Sequence, residues 1–312
     1  MKSTNIKLIS AGAGSGKTFR LTKDFSGLLT NDEPYHPSQM IATTFTRAAA
    51  SELKNRIREK ILEQGLMEMV PQLDQALVGT VNSVSQQLLS LFSFELGLSP
   101  TLAVIDDDEK DVLFQYAMSA SLNLVTLNEM DNVGERFSIE RKDTRKVIKS
   151  ISDNARNNEM DAKQLEWSRD DSVSSLKKIL PKANKDQQQT TSKLQKIIPG
   201  LRQKVKAAND NGKDTKNALV HFEAFLYKLQ QGVAIPWAEW ATCAEVKCNA
   251  PAAKSLIFDE AKILMADHIY FPGFHDDLSN YIKLCFDGAI ICMEKYAALK
   301  KERGLVDFVD QE

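Results

Sequence analysis

The chain has 312 residues, of which 43% are hydrophobic and 26% are charged, and its net charge is −2. This composition is typical of a folded globular protein, and the length allows two domains. No apolar run reaches about 18 residues, which excludes a membrane-spanning segment. Four cysteines without a C-x-x-C pair predict neither a disulfide framework nor a metal cluster. We therefore expect a reduced, cytoplasmic protein with no membrane partner.

A glycine-rich stretch near the start of the chain predicts a phosphate-binding loop. It reads Ala11-Gly12-Ala13-Gly14-Ser15-Gly16-Lys17-Thr18, with alanine at the first position, where glycine is usual. The apolar run 6–9 predicts a strand before the loop. A helix is predicted after it, with one face formed by Leu21, Phe25, Leu28 and Leu29. Strand, glycine-rich turn, Lys-Thr and helix is the context that such a loop requires.

The residue types in this stretch suit a nucleotide and its magnesium ion. Gly12, Gly14 and Gly16 can adopt positive φ angles, so that successive backbone N–H groups surround phosphate oxygens. The helix that follows directs the positive end of its dipole at the same anion. Lys17 would reach the β- and γ-phosphates of ATP, and the Thr18 hydroxyl would complete the Mg²⁺ shell.

A second strand and helix follow a polar loop. Residues 40–44 form the β-rich run, and the helix has an inward face formed by Ala50, Leu53, Ile57 and Ile61. Alternating strands and helices predict a parallel α/β sheet with ligands at the carboxyl ends of its strands. Thr44, Phe45 and Thr46 lie at such an end. Phe45 could stack on a base there, or it could be buried beside a threonine helix cap.

A third apolar strand at residues 77–81 precedes Asn82 and Ser83, and a long helix follows from about Val84. At this point three stretches, 11–18, 44–57 and 79–83, match a known family in order and spacing. They resemble motifs I, Ia and Ib of the UvrD/RecB-like superfamily 1 DNA helicases. The N-terminus resembles the RecB/AddA helicase–nucleases more closely than the UvrD/Rep type.

The resemblance implies roles for the residues of each motif. Gly14, Gly16, Lys17 and Thr18 would bind ATP and Mg²⁺. Contacts to single-stranded DNA would come from Thr44, Phe45, Thr46 and Arg47, and contacts to the DNA backbone from Thr80, Asn82 and Ser83. Two positions depart from the family pattern, because Asn82 replaces the usual histidine and Val84 the usual aromatic residue.

The resemblance also implies the domain organisation. Residues 1–105 would be the first part of a P-loop motor domain with an incomplete RecA-like sheet. Residues 106–284 would be a large all-helical insertion, and residues 285–312 a helix and a segment that return to the motor domain. Polar breaks at 159–161, 181–182 and 209–212 divide the insertion into helices, and Gly304 ends the last one.

One segment of the insertion is strongly basic. Residues 176–217 carry eleven Lys or Arg and three acidic residues, a balance of +8. Charge alone favours a solvated helix face, and the resemblance adds a DNA-contacting surface as the alternative. Trp237 and Trp240 are predicted to be core anchors. His268 and His275 lie near acidic residues, but without the spacing of metal ligands.

ATP hydrolysis needs carboxylates that hold Mg²⁺ and orient water. Asp106 and Asp107 follow an apolar run as a Walker B acid does, but Asp106 and Glu109 also match a helix capping box, which the family register favours. The pair Asp259-Glu260 continues into a helical pattern. We therefore expect motif II, the arginine finger and the second motor domain to follow Glu312 in a longer helicase.

The leading hypothesis is the ATP- and single-stranded-DNA-binding N-terminal part of a helicase in recombination or repair. Its cofactors would be ATP and Mg²⁺, and its partners single-stranded or duplex DNA and a nuclease or helicase-complex subunit. The alternatives are a self-contained ATPase that uses Asp106 or Asp107, and a non-catalytic module that binds nucleic acid or a partner. Alone, the chain is expected to be inactive as an ATPase.

Overall fold

The computed structural model describes residues 6–10, 16–31, 34–99, 101–250, 252–253 and 256–311. In chain order its main elements are α1 (Lys17–Thr30), β1 (Ile41–Thr44), α2 (Arg47–Glu63), β2 (Leu77–Thr80), α3 (Val81–Leu91), β3 (Ala103–Val104), α4 (Asp107–Ser121), α5 (Leu124–Arg136), α6 (Arg141–Asn157), α7 (Ala162–Ile179), α8 (Gln187–Ala207), α9 (Lys213–Gln230), α10 (Trp237–Glu245), α11 (Asp259–Ala266), α12 (Pro272–Arg303) and β4 (Leu305–Val306). The chain divides into two compact units. Unit 1 comprises residues 1–110 and 300–312, and unit 2 comprises residues 111–299.

Unit 1 contains two small parallel sheets. β1 pairs with β2, which places Ile41 opposite Leu77 and Thr44 opposite Thr80. β3 pairs with β4, also in parallel. The predicted α/β class with parallel pairing is thereby confirmed, and the chain as a whole is mostly helical. Since parallel strands point the same way, the carboxyl ends of β1 and β2 share one edge.

The core of unit 1 lies between α1, α2 and the first sheet. Leu53, Ile57 and Ile61 are buried there, as their helical spacing predicts, and Ala50 is half-buried at the margin. Phe25 and Leu29 of α1 pack into the same core. A residue every three or four positions faces the sheet, which is how an amphipathic helix buries one stripe.

The inward face of α1 differs from the prediction. Leu21 and Leu28 are each 41% exposed, whereas the buried positions are Thr22, Phe25, Ser26 and Leu29. These four are spaced three, four and seven residues apart, so they form a stripe as wide as the predicted one but rotated around the helix by about 60°. The hydroxyls of Thr22 and Ser26 can be buried because each donates a hydrogen bond to a carbonyl of its own helix, at 2.9 and 3.1 Å.

The predicted first strand does not form. Residues 6–10 adopt no regular structure, and the side chains of Ile6 and Leu8 are 90% and 93% exposed. A strand needs backbone partners, and no described segment pairs with these residues. The apolar run has the propensity of a strand, but propensity alone does not provide a neighbouring strand to pair with.

The described part of unit 2 contains helices and no strand. The predicted polar breaks fall between α6 and α7, between α7 and α8, and between α8 and α9, and are confirmed. Its main core includes Trp237 and Trp240, 7% and 0% exposed, so the prediction that they are core anchors is also confirmed. Trp240 packs edge-on against Phe225 with ring centroids 4.8 Å apart.

The last helix, α12, is the longest of the described helices. α12 buries Cys285, Ala289, Cys292 and Tyr296 along one side, and the helix ends at Arg303. Gly304, with a φ of 64°, follows as predicted. Its carbonyl accepts a hydrogen bond from Ala103 at 3.0 Å, which joins the end of α12 to β3.

Candidate functional site

The start of α1 is the described part of the predicted phosphate-binding loop. Residues 11–15, with Ala11, Gly12, Ala13, Gly14 and Ser15, lie outside the described residues. Gly16 is left-handed, with φ 79° and ψ 23°, and precedes α1, which begins at Lys17. The predicted helix therefore begins directly after Gly16.

The electrostatics of this helix start suit an anion. The first turn of α1 contains no acidic residue, and Lys17 is exposed within it. The Thr18 carbonyl accepts a hydrogen bond from the Thr22 hydroxyl at 2.9 Å. The Thr18 hydroxyl itself has no hydrogen-bond partner among the described residues. A positively charged side chain and a helix N-terminus in one place form a phosphate-binding combination.

A carboxylate two turns along α1 connects the helix to the segment before the loop. Asp24 accepts hydrogen bonds from the Arg20 guanidinium at 2.9 and 3.0 Å. The Lys7 ammonium lies 3.8 Å from the same carboxylate. Both ion pairs are exposed, so each contributes at most about 1 kcal/mol to stability.

At the end of β1, each of the two alternatives for Thr44-Phe45-Thr46 agrees in part with the structure. Phe45 is 97% exposed, so it is not the buried residue that one alternative predicted. Thr46 is nevertheless the helix cap, because its hydroxyl accepts a hydrogen bond from the Ala49 N–H at 3.2 Å. The Thr44 hydroxyl donates to the Thr46 carbonyl at 3.0 Å. Arg47, the first residue of α2, is exposed beside Phe45 in sequence.

The end of β2 is built in a similar way. Thr80 caps α3 by accepting a hydrogen bond from the Ser83 N–H at 3.2 Å. The Ser83 hydroxyl donates to the Thr80 carbonyl at 3.0 Å, and Asn82 is half-buried in the same turn. A Cβ at Gly79 would clash with the Ser83 hydroxyl oxygen in its present rotamer, so a larger residue there would force this hydroxyl to turn away.

The register brings these two ends together. Thr44 lies opposite Thr80, so the starts of α2 and α3 share the carboxyl edge of one sheet. An exposed aromatic ring, an exposed guanidinium and two helix N-termini are therefore gathered there. Such a set can stack a base and bind phosphate oxygens. Sequence order alone could not show that the two segments lie side by side.

The two candidate carboxylate pairs both lie at helix starts. Asp106 and Glu109 form a reciprocal capping box, with N–H to carboxylate distances of 3.1 and 2.9 Å, as the family register favours. Asp107 is in the first turn of α4, with its side chain exposed and 3.3 Å from the Lys110 ammonium. Asp259 and Glu260 begin α11, which agrees with the predicted helical continuation.

The basic segment directs its basic side chains to solvent and most of its apolar side chains into the core of unit 2. All eleven of its Lys and Arg residues are exposed, on the end of α7, on α8, on the start of α9 and in the loop before α8. Within the described residues only Lys185 and Arg202 form ion pairs, with Asp267 and Glu223. The remaining nine lysines are available to phosphates or to solvent, so both alternatives stay open.

Two histidines of unit 2 have ring nitrogens within hydrogen-bond distance of backbone carbonyls. His268 is buried, and its ring contacts the Met265 carbonyl at 2.9 Å, while His275 contacts the Ile269 carbonyl at 2.8 Å. Burial lowers the pKa of His268. In the described part of the chain, no three His, Cys, Asp or Glu side chains form a group that could hold a metal ion. The same part has no helix that is both long and apolar enough to cross a bilayer.

Sequence reasoning did not identify two other features. Lys300 is buried and forms ion pairs with Asp307, at 3.3 Å, and with Asp310, which attaches the end of α12 to the segment after β4. A cleft of about 720 Å³ lies between α1 and α2, lined in part by Phe19 and Arg56. None of the predicted site residues that the structure describes lines this cleft. The acids at 307 and 310 repeat a helix-capping spacing, which is a signal that could have been used.

Parallel strands that lead into capped helices, together with a Gly-Lys-Thr helix start, are typical of the α/β class of P-loop proteins. The family model for the UvrD/REP helicase N-terminal domain matches residues 2–303, and the chain belongs to this family.

Relatives of known name share shorter stretches with the chain. An ATP-dependent helicase/nuclease subunit of Streptococcus suis is 30% identical over 165 residues, covering 47% of this chain and 13% of the relative. The corresponding protein of Streptococcus mutans is 35% identical over 122 residues, covering 35% and 10%. The ATP-dependent DNA helicase SRS2 of Saccharomyces cerevisiae is 30% identical over 159 residues, covering 47% and 13%. The matched stretch is thus roughly a tenth of each relative's length.

Proposed function

We propose that this chain is the ATP-binding and single-stranded-DNA-binding N-terminal part of an ATP-dependent DNA helicase of the UvrD/RecB type. The whole protein would act in recombination or DNA repair, with ATP and Mg²⁺ as its cofactors. Family membership and the names of the relatives support the helicase class. The observation that carries the DNA-binding half is the pairing of Thr44 with Thr80, since it gathers both predicted DNA-contact segments at one sheet edge.

The nucleotide would be held at the start of α1. Residues 11–18 would surround its phosphates, with Lys17 on the terminal phosphates and the Thr18 hydroxyl on Mg²⁺. The left-handed Gly16, the absence of acids from the first turn of α1 and the unengaged Thr18 hydroxyl fit that role. ATP, when bound with Mg²⁺, supplies the phosphoanhydride whose hydrolysis drives movement along DNA. The residues of this chain bind and orient the phosphates.

DNA would bind where β1 and β2 end. Phe45 is almost fully exposed, and a ring that does not pack against protein can stack on a base. Arg47 would bind a backbone phosphate, as would Asn82. The hydroxyls of Thr46 and Thr80 already cap helices, so we propose that these two residues position the edge, with Thr44 and Ser83.

The remaining parts of the chain are assigned by analogy with the family. Residues 1–105 would be the first part of a RecA-like motor domain, 106–284 an inserted helical domain, and 285–312 the return to the motor. The capping box of Asp106 with Glu109 supports a structural role for this pair, rather than a self-contained ATPase that uses Asp106 or Asp107 as its metal-binding acid.

Nucleotide binding is tested by titrating the chain with a fluorescent ATP analogue in the presence of Mg²⁺. Lys17→Ala should weaken this binding at least tenfold, because it removes a charge-assisted contact to phosphate. Lys23→Ala, an exposed lysine on the same helix, is the matched control and should bind normally. Equal affinity of both variants would contradict the assignment. Rapid ATP turnover that Lys17→Ala abolishes would contradict the expectation that this chain alone is inactive.

DNA binding is tested with a labelled twelve-nucleotide oligo-dT by fluorescence anisotropy. Phe45→Ala should weaken binding about tenfold, since one stacked base is worth about 1–3 kcal/mol. Phe94→Ala is the matched control, because Phe94 is also strongly exposed in unit 1, at 81%. An identical affinity of the Phe45→Ala and Phe94→Ala variants would remove Phe45 from the proposed site.

A further inference from the structure

Unit 2 contains a pocket that the proposed function does not use. It has a volume of about 360 Å³ and lies among α4, α5 and α6. Three apolar side chains line it, namely Phe114, Met118 and Leu127. Phe114 packs against Tyr296 with ring centroids 5.7 Å apart, which fixes the ring in place. A volume of this size lies at the lower end of the range for ligand pockets, which suits a small apolar group better than a large cofactor.

Four cations from α6 also line the pocket. They are Lys142, Arg145, Lys146 and Lys149. Their spacing of three, four and seven residues puts them on one face of the helix, as expected for side chains that share a pocket. A rim of cations around an apolar floor suits a ligand that combines an anionic group with an apolar group.

Three of these cations already have carboxylate partners. The Lys142 ammonium lies 2.7 Å from Glu140, and that of Lys146 lies 3.0 Å from Asp143. Lys149 lies 2.8 Å from Asp153 and 3.1 Å from Asp111. The hydrogen bond to Asp153 is the main reason why the pKa of Lys149 is raised.

Arg145 differs from the other three. It is exposed, and no described carboxylate lies within ion-pair distance of its guanidinium. Its planar fork can bind one carboxylate through two parallel hydrogen bonds, which a lysine cannot do. The unpaired Arg145 is therefore the part of the rim that can bind a new anion.

This charge arrangement distinguishes a carboxylate from a nucleic acid. The four cations are matched by four carboxylates, so a chain of phosphates would meet as many negative charges as positive ones. Segment 176–217 is the surface with an uncompensated charge of +8. A single carboxylate could bind Arg145, the one unpaired cation of the pocket, without coming close to the four neighbouring carboxylates. The pocket floor, which has aliphatic side chains and a ring held by Tyr296, offers no free aromatic face for base stacking.

We propose that this pocket is a docking site for a short acidic–apolar peptide segment of a protein partner. One Leu-like side chain of the segment would occupy the floor of Phe114, Met118 and Leu127, and a neighbouring Asp or Glu would pair with Arg145. This proposal is independent of the nucleotide and DNA sites in unit 1.

The test uses the full chain and a defined probe. The probe is a fluorescein-labelled octapeptide with two adjacent leucines followed by one aspartate, and its affinity is measured by anisotropy. Two matched peptides replace either the aspartate with asparagine or the leucines with serine, and both should bind at least fivefold more weakly. Because only one ion pair forms, raising the salt concentration should weaken the binding of the probe much less than the binding of oligo-dT.

Two variants locate the binding. Arg145→Glu should weaken the probe about tenfold, and Ser119→Trp should do the same by filling the pocket from an exposed position on α4. Lys163→Glu, which makes the same charge change at an exposed position on α7, is the control and should leave the affinity unchanged. With ¹³C-methyl-labelled methionines, the probe should shift the NMR signal of Met118 and not that of Met265, which is buried in a different core.

The outcomes that overturn the proposal are specific. Failure of the probe to bind the wild-type chain would exclude the site, and so would equal binding to Arg145→Glu. Loss of oligo-dT binding in Arg145→Glu, with the probe unaffected, would instead identify the pocket as a nucleic-acid surface.

Discussion

Thr44 lies opposite Thr80 across the parallel pair of β1 and β2, and a helix starts within three residues of each. Two segments that are separated by more than thirty residues in sequence are thereby placed side by side at one edge. The hydroxyls of Thr46 and Thr80 fix the two helix starts by accepting backbone hydrogen bonds. The exposed side chains of Phe45 and Arg47 extend from this fixed edge, and the predictions for unit 1 concern how it is held in place.

Alanine substitutions at two glycines of unit 1 should change the free energy of unfolding in opposite directions. Gly16→Ala should lower the free energy of unfolding by about 1–2 kcal/mol, since its φ of 79° is unfavourable for a residue with a Cβ. Gly27 lies inside α1, with open space where a Cβ would be. Gly27→Ala should therefore raise the free energy of unfolding by about 0.5–1 kcal/mol. Urea denaturation measures both. The same sign of change for the two variants would contradict the left-handed conformation at Gly16.

The close contact between Gly79 and Ser83 predicts a coupled pair. Gly79→Ala should destabilise the protein by about 1 kcal/mol, because the new Cβ would displace the Ser83 hydroxyl from its hydrogen bond to the Thr80 carbonyl. Adding Ser83→Ala removes that oxygen and should recover part of the loss. A double-mutant cycle by urea denaturation should give a coupling of at least about 0.5 kcal/mol, and strict additivity would argue against the contact.

Asp210 should stabilise unit 2 at neutral pH and lose this stabilising effect in acid. Hydrogen bonds to its carboxylate, chiefly from the Gly212 N–H at 2.8 Å and then from the Thr215 hydroxyl at 2.8 Å and the Ala252 N–H, hold the pKa of Asp210 below its usual 3.8. A lowered folded-state pKa contributes stability that is present above the unfolded value and is lost as the pH falls through the folded value.

The melting temperature of Asp210→Asn should therefore be lower than that of the wild type at pH 7, and the difference should shrink below about pH 4. Asp171→Asn, an exposed residue of α7, is the control and should show no such trend. A difference for Asp210→Asn that stays constant down to about pH 2 would show that the hydrogen bonds do not favour the carboxylate.

The four cysteines should differ in reactivity. Burial raises the pKa of all four thiols, to about 12 for Cys243 and to about 11 for Cys285 and Cys292, but Cys248 is only half-buried and so remains accessible to a reagent. At pH 8 the three buried thiols are almost entirely protonated, and only the thiolate reacts with iodoacetamide. Peptide mapping should show Cys248 alkylated first, and the others only in denaturant. Early alkylation of Cys243 would contradict its burial.

Much of the fold follows from local patterns. The spacing of Leu53, Ile57 and Ile61 predicted the buried face of α2, because helical periodicity alone determines which side chains lie together. The polar breaks of unit 2 and Gly304 marked helix ends for equally local reasons. Patterns of this kind need no knowledge of the rest of the chain.

Features that depend on distant partners were not predictable in the same way. Residues 6–9 have the composition of a strand, but a strand forms only when another backbone pairs with it. Whether Phe45 is buried or exposed depends on what packs over the end of β1, which the stretch itself does not encode. The pocket at Arg145 was missed for a similar reason, since its floor comes from α4 and α5 and its rim from α6.

The threonine caps also have a thermodynamic consequence for any ligand of the sheet edge. Because Thr46 and Thr80 fix the starts of α2 and α3 within the folded protein, the edge is pre-organised and little backbone entropy remains to be lost on binding. Removing a cap should therefore be seen first in the folding equilibrium, where it costs about 1 kcal/mol. Removing Phe45 should instead be seen in the dissociation constant alone.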